Sequence, residues 1–283
     1  MNEDFLNSKI LLNSARNCLR YVVKSFDIKK IAVPYFICPV VRQTLKNDGV
    51  EINFYHINND FLPDCEFQDD DFVLYVNYFG ICSRQNEILA KRYKNLISDN
   101  AHAFFAKKKG LASFSSVRKF FNVNDGGILD CDRILAQNFP QDENRNLSVT
   151  DFNSFLKNEL SIDNQPVKIM SSKTQNFLKN VNFEQKMVKN SQIFAKIDEK
   201  LQKMNNLKFD ISKDDVPMVY PFLSDDFAMM ENISKMLETK GVYIIRYGSD
   251  LPKTYPEYDF TKIMMIPLTS SVSRIFDEKI SSP

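Results

Sequence analysis

The sequence has no tryptophan, only two histidines (His56 and His102) and only seven glycines among its 283 residues. Two histidines without an H-E-x-x-H spacing exclude that class of zinc hydrolase, and no Cys/His metal site is expected. There is no G-x-G-x-x-G fingerprint and no Walker A loop, so a glycine-rich nucleotide cradle is not expected either. The longest apolar stretches, around 31–41 and 72–81, are interrupted and too short to span a bilayer. Neither sign of charge dominates: 37 basic residues face 36 acidic ones, for a net charge of +1. That balance provides no electrostatic footprint for nucleic acid, and neither nucleic acid nor membrane is expected as a partner. The five cysteines (Cys18, Cys38, Cys65, Cys82, Cys131) are scattered, odd in number and free of C-x-x-C. The N-terminal residues Met1-Asn2-Glu3-Asp4 are acidic and lack a signal-peptide pattern, so a reduced, cytoplasmic setting is expected.

What is present suits one or two globular domains with a sizeable core: 43% of residues are hydrophobic and 26% charged. The first half alternates helix and strand signals. Leu19, Val22, Val23 and Phe26 have helical spacing after a plausible N-cap at Ser14. Strands are predicted over 31–34, 52–55, 72–77, 95–98, 111–115 and 127–129, and helices over 40–47 and 86–93. Short strands alternating with helices predict an α/β fold with a mostly parallel central sheet and flanking helices. Residues from about 136 to 167 are polar and read as loop with a weak helix or as a partly mobile segment. A helical stretch is predicted from 174 to about 204, then a helix over 225–240 and a strand over 241–248. The expected division is a large unit, 1–205, and a smaller C-terminal α/β unit, 206–283.

In open α/β sheets ligands bind beyond the C-terminal ends of the strands. The polar groups expected there are Asn77-Tyr78-Phe79-Gly80, Asp99-Asn100-Ala101-His102, Ser115-Ser116-Val117-Arg118-Lys119 and Asp125-Gly126-Gly127. The set suits pyridoxal 5'-phosphate (PLP). That cofactor needs a lysine to bond to its aldehyde, a carboxylate to keep its pyridine nitrogen protonated, and hydroxyl and backbone N–H donors for its phosphate. Lys119, Asp99 and Ser14 supply one of each. Taken alone, Lys119 also reads as a solvated surface lysine, Asp99 as a turn cap and His102 as an ordinary core or loop histidine.

Six motifs in order resemble those of the DegT/DnrJ/StrS type of PLP-dependent sugar aminotransferase. They are Ser14-Ala15-Arg16-Asn17-Cys18-Leu19, Val33-Pro34-Tyr35-Phe36-Ile37-Cys38-Pro39, Asn77-Tyr78-Phe79-Gly80, Ser98-Asp99-Asn100-Ala101-His102-Ala103, Ser115-Ser116-Val117-Arg118-Lys119 and Asp125-Gly126-Gly127. The resemblance covers about 12–129 well and the remainder loosely. It implies the type I fold of PLP-dependent transferases and a role for each matching residue. Lys119 would bond to the cofactor and later move the proton. Asp99 would pair with the pyridine nitrogen, and His102 would face the cofactor ring near its hydroxyl. Ser14 and Ala15, with Ser115 or Ser116, would hold the phosphate, and Gly126 and Gly127 would let backbone pass close by. The position that stacks an aromatic ring on the cofactor aligns with Cys38, with Phe36 and Tyr35 nearby. Ala15-Arg16 replaces the usual Gly-Thr, and Phe114 stands where a serine usually precedes the lysine.

The implied activity is transfer of an amino group from an amino acid, with glutamate expected, to a nucleotide-linked keto sugar in surface-glycan or amino-sugar biosynthesis. A homodimer closing the cofactor site is implied as well. The chain starts close to the first motif, where the family has a longer segment that helps build the substrate pocket. With the altered phosphate loop, this leaves open a non-catalytic or regulatory protein of the same fold, or another PLP-dependent reaction on a sugar. Arg246 is expected at the rim of the site, and Lys107-Lys108-Lys109 as a solvated loop that could attract an anionic nucleotide.

Overall fold

The computed structural model describes residues 2–143, 152–163, 165–248 and 250–279. In chain order the first elements are α1 (Asn2–Leu6), β1 (Ile10–Leu12), α2 (Ala15–Phe26), β2 (Lys30–Pro34), α3 (Pro39–Asn47) and β3 (Glu51–Tyr55). There follow β4 (Val73–Val76), α4 (Ser83–Arg92), β5 (Leu96–Asp99), β6 (Ala112–Ser116) and β7 (Gly127–Cys131). The seven strands form one sheet in the order β1-β7-β6-β5-β4-β2-β3. β6, β5, β4, β2 and β3 run parallel; at one edge β7 runs antiparallel to them, and β1, antiparallel to β7, returns to their direction.

The predicted strands and helices of this half are found within a few residues. β4 and β5 are buried at every position, as strands covered on both faces must be. α2 buries Cys18, Leu19, Val22 and Val23, and the Ser14 side chain caps it by accepting from Asn17 N at 3.2 Å. β1 was not expected: three residues with no alternation carry too little periodicity to announce a strand.

The topology explains where the polar motifs meet. β4, β5 and β6 are parallel neighbours, so the segments after them leave the same end of the sheet. Ser116 lies opposite Gly127, and Gly127 opposite Leu12, so β7 starts and β1 finishes at that end too. Gly127 is needed there. A Cβ on it would stand 2.5 Å from the backbone of Ser14 and 2.6 Å from Ala15 N. Backbone cannot yield as a flexible side chain can. Gly127→Ala is therefore expected to destabilise the protein by roughly 1–3 kcal/mol, the usual cost of overpacking. A thermal melt indistinguishable from that of the parent would contradict this close approach.

The remaining elements are α5 (Phe152–Ile162), α6 (Ser172–Asn180), α7 (Phe183–Leu201), β8 (Val219–Phe222), α8 (Phe227–Glu238), β9 (Met264–Pro267) and α9 (Ser270–Lys279). Two expectations are corrected here. The helical stretch over 174–204 is two helices, because Asn182 leaves helical geometry and caps α7 by accepting from Gln185 N at 2.9 Å. The strand over 241–248 is absent: only Ile245 bridges to Met265, and Tyr243 and Ile245 are exposed. The second sheet is instead β8 paired antiparallel with β9, and α7 packs against β8 and α9. In the polar stretch 136–167, α5 is a helix, while 144–151 and 164 lie outside the described residues. Among the described residues no helix is long and apolar enough to cross a membrane, and no group of His, Cys, Asp or Glu is arranged to hold a metal ion.

Candidate active site

A cavity of about 680 Å³, counting its open mouth, lies at this end of the sheet. Its walls combine apolar side chains with a few convergent polar and charged groups, the make-up of a small-molecule site. Lys119, Asp99, His102, Ser14, Ala15, Ser116 and Cys38 all line it.

Lys119 ends a 3-10 turn, Val117–Lys119, that follows β6 directly. Val117, Phe120 and Phe121 on either side of it are buried in a cluster with Phe104 and Phe183. Val117 N also donates to Gly126 O at 3.1 Å. The flanks of the turn are thus clamped, while Lys119 itself can be reached by solvent from the cavity. Crowding by the surrounding protein leaves the ammonium less well hydrated than in open water and pulls its pKa below the ordinary lysine value; nearby Cys38 and Asp99 oppose this, and Arg118 adds to it. A lysine so tuned is closer to a nucleophilic amine than a surface lysine is.

Asp99 is the last residue of β5 and is 4% exposed. Its Oδ1 accepts from Ala101 N at 2.9 Å. Burial raises its pKa, while the Ala101 N–H and the Lys119 charge act in the opposite direction. His102 is equally buried, and its Nδ1 faces Phe79 N at 3.4 Å. Burial, then the Lys119 charge, hold its pKa well below the ordinary value, so the imidazole is neutral at pH 7. The Tyr78–Gly80 turn that makes this contact passes so close that a Cβ on Gly80 would stand 2.4 Å from His102 O.

Two expected contacts are displaced. Phe36 does not face the cavity: it is wholly buried, its ring against Tyr78, Tyr247 and Phe260. Ser115 is not on the lining either, because successive strand residues face opposite sides and Phe114 and Ser116 take the cavity side. Asp125 is wholly buried and serves the start of α6, accepting from Ser171 N at 2.7 Å and Ser171 Oγ at 2.8 Å. Arg246 is exposed and donates to Lys262 O at 2.6 Å, away from the cavity. In the lysine run, Lys108 pairs with Asp132, and Lys109 with Glu87 at 3.5 Å.

Four lining residues with charged or hydroxyl-bearing side chains had no assigned role: Arg16, Arg118, Glu159 and Tyr247. Tyr247 reaches in from beyond α8, and its hydroxyl accepts from Cys38 N at 2.8 Å. Its ring meets His102 edge-on at 5.1 Å between centroids. The two arginines sit inside the motifs already singled out, and the run Arg118-Lys119 was a signal in itself.

No protein-family model matches the chain, and no curated protein matches it. Solved structures do. Helicobacter pylori PseC, an aminotransferase involved in the biosynthesis of pseudoaminic acid, is 17% identical, with a TM-score of 0.60 over 98% of this chain and 87% of that one. A DegT/DnrJ/EryC1/StrS aminotransferase from Brucella abortus is 12% identical, with a TM-score of 0.59 over 99% and 88%. NtdA from Bacillus subtilis, with bound cofactor PMP, is 13% identical, with a TM-score of 0.62 over 99% and 75%. At such identities the likeness establishes a common fold. That fold is the expected one, the type I fold of PLP-dependent aminotransferases.

Proposed function

We propose that the protein is a PLP-dependent aminotransferase acting on a keto sugar, with an amino acid as donor. The observation that carries this is the convergence of Asp99 and His102, from the end of β5, and Lys119, from the end of the neighbouring β6, on one cavity beside the capped start of α2. The residues fit the cofactor. Asp99 is a buried carboxylate of which, among the described residues, only Oδ1 has a backbone partner. Ser14, Ser116 and the start of α2 line the same cavity, and the backbone N–H groups of a helix start suit a phosphate. When bound, PLP supplies an electron sink for the pair released as the C–H bond beside the amino group breaks.

The chain's own residues would then divide the work. Lys119 would hold the cofactor through its amine and, when that amine is free, would take the proton from the substrate carbon as a general base and return it as a general acid. Its lowered pKa favours the free amine that both roles need. Asp99 would keep a proton on the pyridine nitrogen, and neutral His102 would help hold the cofactor in the cavity that both residues line. Tyr247 fixes the Cys38 end of α3, on the wall where an aromatic ring was expected. Glutamate as donor, a nucleotide-linked sugar and a glycan or amino-sugar end product belong to this reading, as does a cytoplasmic location. So do the division at 205/206 and a homodimer burying roughly 2,000 Å² in total.

Purified protein given PLP is expected to gain visible absorption that glutamate then shifts. A protein that stays colourless would overturn the reading. Absorption that no amino acid changes would favour the non-catalytic alternative. Light scattering at micromolar concentration should show twice the chain mass, and a monomer mass would remove the dimer.

A further inference from the structure

Three charged groups on the cavity wall have no part in the scheme above. Arg16 stands in the first turn of α2, Arg118 beside Lys119, and Glu159 on α5. Both arginines bind the one carboxylate. Arg16 Nη2 lies 2.7 Å from Glu159 Oε2, and Arg118 Nη1 bonds Oε1. The arginine side chains are only 14% and 13% exposed and that of Glu159 is 27% exposed. The positive charge here exceeds what Glu159 neutralises. Asp163, which reaches Arg16 at 3.3 Å, is 49% exposed and screened by solvent. The start of α2 adds its own positive potential. Arg118 Nε is buried without a hydrogen-bond partner among the described residues.

Two guanidiniums on the two oxygens of one group is the geometry with which arginine recognises phosphate. A phosphate monoester carries more charge than a carboxylate and suits the pair better. We propose that Arg16 and Arg118 form a phosphate clamp on the cavity wall and that Glu159 is its internal counter-ion, displaced when a phosphate ester binds. The proposal rests on the aminotransferase reading for its ligand classes, which are the cofactor's phosphate or the diphosphate of a nucleotide-linked substrate. Displacement needs only the Glu159 side chain to turn. Asn158 Nδ2 on Asn124 O at 2.8 Å and the buried Ile162 hold α5 in place.

The test is calorimetric titration of the full chain with inorganic phosphate, PLP, pyridoxal and uridine diphosphate. Glu159→Gln should bind inorganic phosphate about tenfold more tightly, and Arg118→Gln or Arg16→Gln about tenfold more weakly, the scale of one charge-assisted hydrogen bond. Pyridoxal, which lacks the phosphate, should bind all variants alike. A gain in Glu159→Gln for PLP alone identifies the cofactor as the source, and a gain for the diphosphate alone identifies the substrate. Asp163→Asn should change little, and a gain equal to that of Glu159→Gln would overturn the clamp in favour of bulk charge. Unchanged or weaker phosphate binding by Glu159→Gln would also overturn it. Where Arg118→Gln fails to fold, Arg118→Lys keeps the charge and should still weaken phosphate, since it loses the fork. Phosphate held through both arginines without PLP uptake would sink the aminotransferase reading and leave the clamp standing. Uptake of PLP, with binding of PLP, of inorganic phosphate and of the diphosphate all indifferent to Glu159, would do the reverse.

Discussion

Lys119→Ala is expected to remove the visible absorption that PLP brings and to lower transamination by about 10²–10⁴-fold or more, the range for a positioned proton-transfer group. The loss should be confined to chemistry. Solvent reaches Lys119 from the cavity, while its turn is held by Val117, Phe120 and Phe121. Removing the amine leaves those anchors in place. The ammonium is itself a burden on the fold, since its surroundings lower its pKa from 10.5. Between the lowered value and 10.5 the unfolded chain binds more protons, so this group's contribution to stability rises with pH through that window. At pH 7 the apo variant should therefore melt no lower than the parent. Absorption that survives the substitution would mean that another amine is responsible.

How much of this was legible in the sequence follows from the kind of signal each part sends. β2 and β4 announce themselves as short apolar runs because both their faces are covered, and β5 as Leu96-Ile97 leading into the polar Ser98 and Asp99. The residues that end them were readable as turns. Parallel neighbours discharge those turns at one end of the sheet, so Asp99, His102 and Lys119 could be placed together before any geometry was known. Orientation was harder. Whether Ser115 or Ser116 faces the cavity depends on the register of β6, and a shift of one residue exchanges the faces. Phe36 and Cys38 sit two apart in an irregular segment where no period applies, and packing against Tyr78 and Phe260 decided between them. Tyr247 was hidden for another reason. The run 242–247 has strand composition but pairs only through Ile245, and its approach to Cys38 is set by the far C-terminal part of the fold. Glu159 lay in a polar stretch that read as loop with a weak helix or as a partly mobile segment, and its role emerges only from the two arginines it joins.

Asp99→Asn separates stability from function most sharply. Burial raises the Asp99 pKa above 3.8, against the pull of the Ala101 N–H and of Lys119. A carboxyl group with a raised folded-state pKa contributes stability that is fully present below 3.8 and lost as pH rises through the folded value. At neutral pH the ionised side chain is therefore a net cost to the apo protein. Asparagine carries no charge and can still accept from Ala101 N. The apo variant should melt at or above the parent at pH 7, with the difference shrinking as pH falls towards 3.8. Its chemistry should suffer all the same. An amide cannot hold a proton on a pyridine nitrogen as a carboxylate does, so turnover should fall on the order of 100-fold or more, as when one preorganised electrostatic group is lost. The two measurements together discriminate between roles. If Asp99 were only a turn cap after β5, the substitution would leave turnover near that of the parent. A variant that is stable, takes up PLP and turns over slowly is the outcome that a buried carboxylate kept for the cofactor requires.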